Sequence, residues 1–92
     1  ANIGAMMLSE FRLRLNNIPI VKEIRGRGLM IGIELNRDCG ELVKIALDRG
    51  LLINVANGNV VRLLPPLILS EDEGVKIVEE VTSLIESFNG NA

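Results

Sequence analysis

The sequence has no histidine, no tryptophan and no tyrosine, and only one cysteine among its 92 residues. Without histidine, no Cys-His nucleophile can be assembled from the chain. The lone Cys39 and the scattered carboxylates offer no metal-ligand spacing. Cys39 cannot close an internal disulfide, which fits a reducing compartment. The only aromatics are two phenylalanines, so the core has to be built from Leu, Ile, Val and Met. A net charge of −2, with neither a basic patch nor an aromatic platform, argues against a nucleic-acid partner. No apolar run approaches the roughly 18 residues of a membrane-spanning helix, so no membrane partner is expected. Ala1-Asn2-Ile3-Gly4 lacks a charged region followed by an apolar stretch and does not read as a signal peptide.

What is present is an ordinary globular composition, 48% hydrophobic and 24% charged, at a length that suits one domain over residues 1–92. Ile3, Met7, Phe11 and Leu15 recur every four residues and predict an amphipathic helix, ended by Asn16-Asn17 and Pro19. Val21 to Leu35 reads as one strand. From Leu29 it alternates strictly, with Leu29, Ile31, Ile33 and Leu35 on a dry face and Met30, Gly32 and Glu34 on the other. Gly26 and Gly28 suggest a bulge or a close backbone approach at its start.

Asp38-Cys39-Gly40-Glu41 has capping-box spacing. The helix expected after it would carry Leu42, Val43, Ala46 and Leu47 on one face, with Gly50 as a left-handed C-terminal cap. Leu51 to Val55 reads as a buried strand. Asn57-Gly58 supplies a tight turn, and Asn59 to Leu64 returns until Pro65-Pro66 removes two ladder donors. Ser70-Glu71-Asp72-Glu73 is a second capping box. The helix after it presents Ile77, Val78, Val81, Leu84, Ile85 and Phe88 on one face and frays at Asn89-Gly90. The expected fold class is α+β: a small, mainly antiparallel sheet of about three strands with helices on one face.

Arg62 is the most informative polar residue. Val60 and Leu64 share its face by alternation, and a guanidinium there needs an exit to water or an anion partner. Its planar fork matches a carboxylate through two parallel hydrogen bonds. An edge-strand arginine that snorkels to solvent or pairs with a carboxylate of its own domain is the structural alternative.

Gly26-Arg27-Gly28-Leu29-Met30-Ile31-Gly32 does not fit a dinucleotide loop. Its glycine spacing is wrong, and it opens a strand where that loop opens a helix. Arg25 and Arg27 are expected at an exposed strand entrance, with contact to another domain as the alternative. Glu71, Asp72 and Glu73 suit the positive end of a helix dipole. Cys39, near a helix start, is expected to be a spectator. A pyridoxal-phosphate (PLP) enzyme would need a Schiff-base lysine. Lys22, Lys44 and Lys76 are the chain's only lysines, and none lies in an enclosed setting by sequence.

Two segments carry a family resemblance. Val21 to Leu35, VKEIRGRGLMIGIEL, resembles the strand that opens the small domain of class III PLP-dependent aminotransferases. Asp48 to Glu73, DRGLLINVANGNVVRLLPPLILSEDE, is similar to the acetylornithine, succinylornithine and ornithine aminotransferases. The Arg-Leu-Leu-Pro-Pro-Leu stretch is its most specific part, and the resemblance covers nearly the whole chain.

The resemblance implies the C-terminal small domain of a fold type I enzyme. That enzyme would use PLP to move an amino group from an acyl-ornithine-type donor to 2-oxoglutarate, in arginine biosynthesis, as a homodimer in the cytoplasm or an organelle matrix, with the cytoplasm expected here. It also implies that Arg62, standing at the arginine of the family's R-x-x-P-P motif, binds the substrate carboxylate. The family's Schiff-base lysine and phosphate-binding residues belong to a large domain and have no counterpart here. The chain alone is therefore expected to bind no PLP, to carry no catalytic residue and to be inactive. One departure stands out: Gly74 replaces the apolar residue usual after the acidic cap, which leaves the helix register over Ser70 to Val78 open. Two readings without catalysis remain beside this one, a small-molecule-binding or regulatory α+β module and a dimerising structural domain.

Overall fold

The computed structural model describes residues 3–27, 30–64 and 69–90. The four-residue period of the first segment becomes helix α1, Ile3–Leu15, in which Met7, Phe11 and Leu15 are buried. Helix α3, Glu71–Gly90, lies against it and buries Val78, Val81, Leu84, Ile85 and Phe88. Ile77 is only half-buried, at the margin of that face. The capping box ahead of α3 is made in full: the Glu73 backbone N–H donates to Ser70 Oγ at 3.2 Å, and the Ser70 N–H donates to Glu73 Oε1 at 3.0 Å. The register is thereby settled, and Gly74 falls on the buried face. A Cβ added there would stand 3.1 Å from Met6 Cε, 3.2 Å from Ile3 Cγ2 and 3.4 Å from Met7 Cγ. The missing side chain lets α1 approach the first turns of α3.

The sheet differs from expectation. Val21 to Leu35 is two strands, β1 (Val21–Arg27) and β2 (Met30–Leu35), paired antiparallel from Arg27↔Met30 to Val21↔Leu35. With β3 (Asn54–Ala56) and β4 (Val60–Leu63) the sheet has four strands instead of about three, in the order β1-β2-β4-β3, every pair antiparallel. β1 hides from a periodicity search because after Val21 it carries one apolar side chain, Ile24, between Lys22, Glu23, Arg25 and Arg27. Gly26 takes the next inward position because Leu8 of α1 fills the space a side chain would need; an added Cβ would collide with Leu8 Cδ2. The expected close approach is therefore at Gly26, and the register irregularity lies between Val21 and Glu23. Gly28, Leu29, Pro65 and Pro66, read above as a glycine approach, a dry-face residue and a strand stop, lie outside the described residues.

Directly paired residues of an antiparallel sheet share a face. Ile31, Ile33, Val61 and Leu63 form the inner face and join the helices in one core. The helices pack on that single face, as expected. The outer face is formed by Glu23, Arg25 and Arg27 of β1, Met30, Gly32 and Glu34 of β2, and Val60 and Arg62 of β4.

The Asn57-Gly58 turn has the positive φ values anticipated, 54° and 81°. Leu51 to Val55, expected as a buried strand, pairs only over Asn54–Ala56, and Leu52 is 86% exposed. β3 is an edge strand with one inward face, so alternate side chains meet solvent.

Helix α2, Leu42–Asp48, starts later than its spacing suggested. Its N-cap is Glu41, with no side-chain cap. Asp38 lies three residues before that N-cap: the Cys39 N–H donates to Gly58 O at 2.7 Å and the Leu42 N–H to Cys39 O, so the chain makes a tight turn before the helix begins. Leu42 and Ala46 are buried, whereas Val43 and Leu47 are exposed, so the apolar face is narrower than read. The helix closes as expected. Gly50 has φ +81°, the Leu51 N–H donates to Ala46 O at 2.8 Å and the Gly50 N–H to Leu47 O at 2.9 Å. This is the double-bonded C-terminal motif that glycine favours.

Candidate functional site

The outer face of the sheet holds most of the polar chemistry the sequence singled out. Arg62 points from β4 and pairs across with Gly32 on one side and Asn54 on the other. β4 is an interior strand, so the edge-strand reading of Arg62 does not hold. The side chain is exposed, and among the described residues it meets no carboxylate. Its Nε and Nη2 both donate to Met30 Sδ, at 3.3 and 3.2 Å. Arg62 and Met30 line two adjoining depressions. One, of about 570 Å³, lies toward β1 and also takes in Arg25, Arg27, Gly32 and Val60. The other, of about 350 Å³, lies toward Leu52, Asn54 and Leu64.

Arg25, on the same face, is in the opposite electrostatic condition. Its Nη1 lies 2.7 Å from Glu23 Oε2 and 2.8 Å from Glu34 Oε1, and Lys22 Nζ approaches Glu34 Oε2 at 3.4 Å. The hydrogen bond from Arg25 holds the Glu34 carboxyl below its ordinary range, and the same bond raises the Arg25 guanidinium. On the outer face Arg25 is thus bound through Nη1 to two carboxylates, whereas Arg62 is held by a neutral sulfur. Arg25 and Arg27 lie within strand β1 itself, beyond the strand entrance where they were expected.

The other candidates take structural places. Cys39 is fully buried, and burial raises its thiol above the usual value, the reverse of an activated nucleophile. Met7 is core and Met6 packs at its margin. Glu73 is bound in its capping box, and its carboxyl is lowered first by the Ser70 backbone N–H and then by the Ser70 side chain. Lys22 is two-thirds exposed beside Glu34, and Lys44 and Lys76 stand on exposed positions of α2 and α3. None has the enclosed setting a Schiff-base lysine requires, so these lysines do not fit as a seat for PLP. Among the described residues no cluster of His, Cys, Asp and Glu suits a metal ion, and no helix is long and apolar enough to cross a membrane.

Sequence reasoning singled out Arg62 but gave no role to Met30 or to the Glu34 carboxylate. Alternation placed both on the correct face; the contacts became visible only once β1 and β4 flanked β2.

Comparison with known proteins gives three findings. A family model described as aminotransferase class-III matches residues 1–85. Acetylornithine aminotransferase 1 of Bordetella bronchiseptica is 50% identical over 86 residues, covering 94% of this chain and 22% of that protein. Among solved structures, the ornithine delta-aminotransferase of Plasmodium falciparum superposes with a TM-score of 0.89 at 25% identity, covering 98% of this chain and 24% of that one. The ornithine aminotransferase of Toxoplasma gondii, whose structure has partial occupancy of PLP at its active site, superposes with a TM-score of 0.81 at 28% identity over 92% of this chain and 21% of that one. The chain spans less than a quarter of the length of the curated relatives it matches.

Proposed function

The chain belongs to the class-III aminotransferase family, and from that premise we propose that residues 1–92 are the C-terminal small domain of a PLP-dependent transaminase in which Arg62 receives a substrate carboxylate. The observation that carries the assignment of Arg62 is its exposed guanidinium on the open face of the sheet, with no carboxylate partner among the described residues. A guanidinium in this condition can donate two parallel hydrogen bonds to an incoming carboxylate without first breaking an ion pair. Arg25 lacks that freedom because Glu23 and Glu34 already occupy it.

The proposed reaction transfers the amino group of an N-acetylornithine-type donor to 2-oxoglutarate, as in the biosynthesis of arginine. The name and identity of the Bordetella relative support this substrate class. PLP would be held by the remainder of the full-length enzyme, a cytoplasmic homodimer in this reading. The chain's own part is to bind and orient the substrate. Alone, with Lys22, Lys44 and Lys76 all exposed, it is expected to be inactive.

The first test is to read the coding sequence upstream of Ala1, where an open frame carrying a PLP lysine is expected; a stop codon immediately before Ala1 would remove the transaminase reading. In the full-length enzyme, Arg62→Ala should raise KM for 2-oxoglutarate or the amino donor roughly 10- to 100-fold, since hydrogen bonds to charged groups contribute about 1.5–3 kcal/mol. Arg62→Lys should recover only part, because an ammonium lacks the planar fork. Unchanged kinetics with both substrates would refute the role of Arg62.

A further inference from the structure

We propose that Met30 is the positioning residue for Arg62: its thioether holds one edge of the guanidinium and leaves the other edge aimed outward for a carboxylate. The inference rests on the reading of Arg62 given above and adds the group that sets its direction. Three observations carry it. Gly32, directly opposite Arg62 on β2, has no side chain, so the arginine can lie across β2 toward Met30, two residues away. Both Nε and Nη2 then donate to Met30 Sδ, at 3.3 and 3.2 Å. Finally, the two side chains together separate the two depressions of the outer face.

The geometry of a guanidinium gives this contact its meaning. Its five N–H donors form two bidentate edges, one from Nε and Nη2 and one from Nη1 and Nη2. Sulfur occupies the first. The second keeps two parallel donors, the arrangement that matches a carboxylate. Thioether sulfur is a weak, uncharged acceptor. It restricts the rotamers of Arg62 without neutralising it, whereas a carboxylate in its place would do to Arg62 what Glu23 and Glu34 do to Arg25. Ordering a long side chain before the ligand arrives removes part of the entropy that binding would otherwise have to offset.

The test separates the contact from its use. In the chain labelled with 15N-arginine, the Arg62 Nε–Hε resonance should be ordered and slow to exchange relative to an exposed arginine such as Arg27, which has no such acceptor among the described residues. Met30→Leu keeps the volume and removes the acceptor, and should return that resonance to the mobile class. Met30→Gln supplies an amide oxygen and should restore it. In the full-length enzyme, Met30→Leu should raise KM for 2-oxoglutarate about three- to tenfold with kcat nearly unchanged, the cost of ordering one side chain on binding, and Met30→Gln should recover most of the loss. A resonance indifferent to Met30→Leu overturns the inference. So does an unchanged KM in Met30→Leu when Arg62→Ala raises it. If Arg62→Ala itself leaves KM unchanged, the carboxylate reading has failed, and the positioning role falls with it even where the spectrum records the Met30–Arg62 contact.

Discussion

Gly74 tests how closely α1 and α3 are packed, because two effects of known size oppose each other there. Glycine inside a helix costs about 1 kcal/mol relative to alanine, so Gly74→Ala gains roughly that amount from propensity. Against it stands the packing. The new Cβ would meet Met6 Cε at 3.1 Å, Ile3 Cγ2 at 3.2 Å and Met7 Cγ at 3.4 Å. Met6 Cε is the free end of an unbranched side chain and can swing aside. Ile3 Cγ2 is branched at Cβ and Met7 is fully buried, so these yield only if α1 shifts by a few tenths of an ångström. Overpacking of this kind costs about 1–3 kcal/mol.

For Gly74→Ala the gain and the cost nearly cancel, and stability should stay within about 1 kcal/mol of the parent. Gly74→Val adds two further carbons in the same seam and gives up part of the propensity gain, so it should lie about 2–4 kcal/mol below the alanine variant. The chain has neither tryptophan nor tyrosine, so urea unfolding is best followed by far-ultraviolet circular dichroism. An unchanged slope with denaturant would assign the difference to stability alone. If valine proves as stable as alanine, the two helices are not in close contact at Gly74 and the argument fails.

Two further outcomes follow from particular contacts. Gly50→Ala forces an alanine to φ +81°, and should cost about 1–2 kcal/mol in the same unfolding assay; no loss would mean that the α2 terminus rearranges freely. Because their folded-state values are depressed, Glu73 and Glu34 contribute stability that is fully present above the ordinary carboxylate range and is lost as pH falls through those lowered values. No histidine titrates between pH 5 and 8, so the urea midpoint should be flat across that interval and fall below about pH 4. Glu73→Gln should flatten part of the acid limb, and an acid limb identical to the parent's would refute the capping-box contribution.

The sequence by itself determined the features whose causes are local. The spacing of Met7, Phe11 and Leu15 specifies a buried stripe wherever α1 docks. Ser70 and Glu73 satisfy each other's backbone donors within one turn. Asn57-Gly58 and Gly50 occupy conformations that few other residues tolerate. The family resemblance was legible for the same reason: it lies in contiguous strings of residues, and it pointed to Arg62 before any geometry was known.

What only the tertiary structure decided are the features whose partners lie far along the chain. β1 looked like the lead-in to one strand because its inward positions hold Ile24 and a glycine, and the reason for that glycine is Leu8, eighteen positions earlier in the sequence. The N-cap of α2 stands three residues beyond Asp38, after a turn in which the Cys39 N–H bonds to Gly58 O. The reason for a glycine at position 74 of α3 was open until Ile3, Met6 and Met7 were found filling the space beside it. The environment of Arg62 required β4 to lie beside β2, which brings Met30 within reach across thirty-two residues. Backbone preferences act over a few residues and can be read in order along the chain. A steric vacancy or a donor left without a carboxylate exists only when distant segments meet, and here it takes the folded sheet to tell the carboxylate-bound Arg25 from the available Arg62.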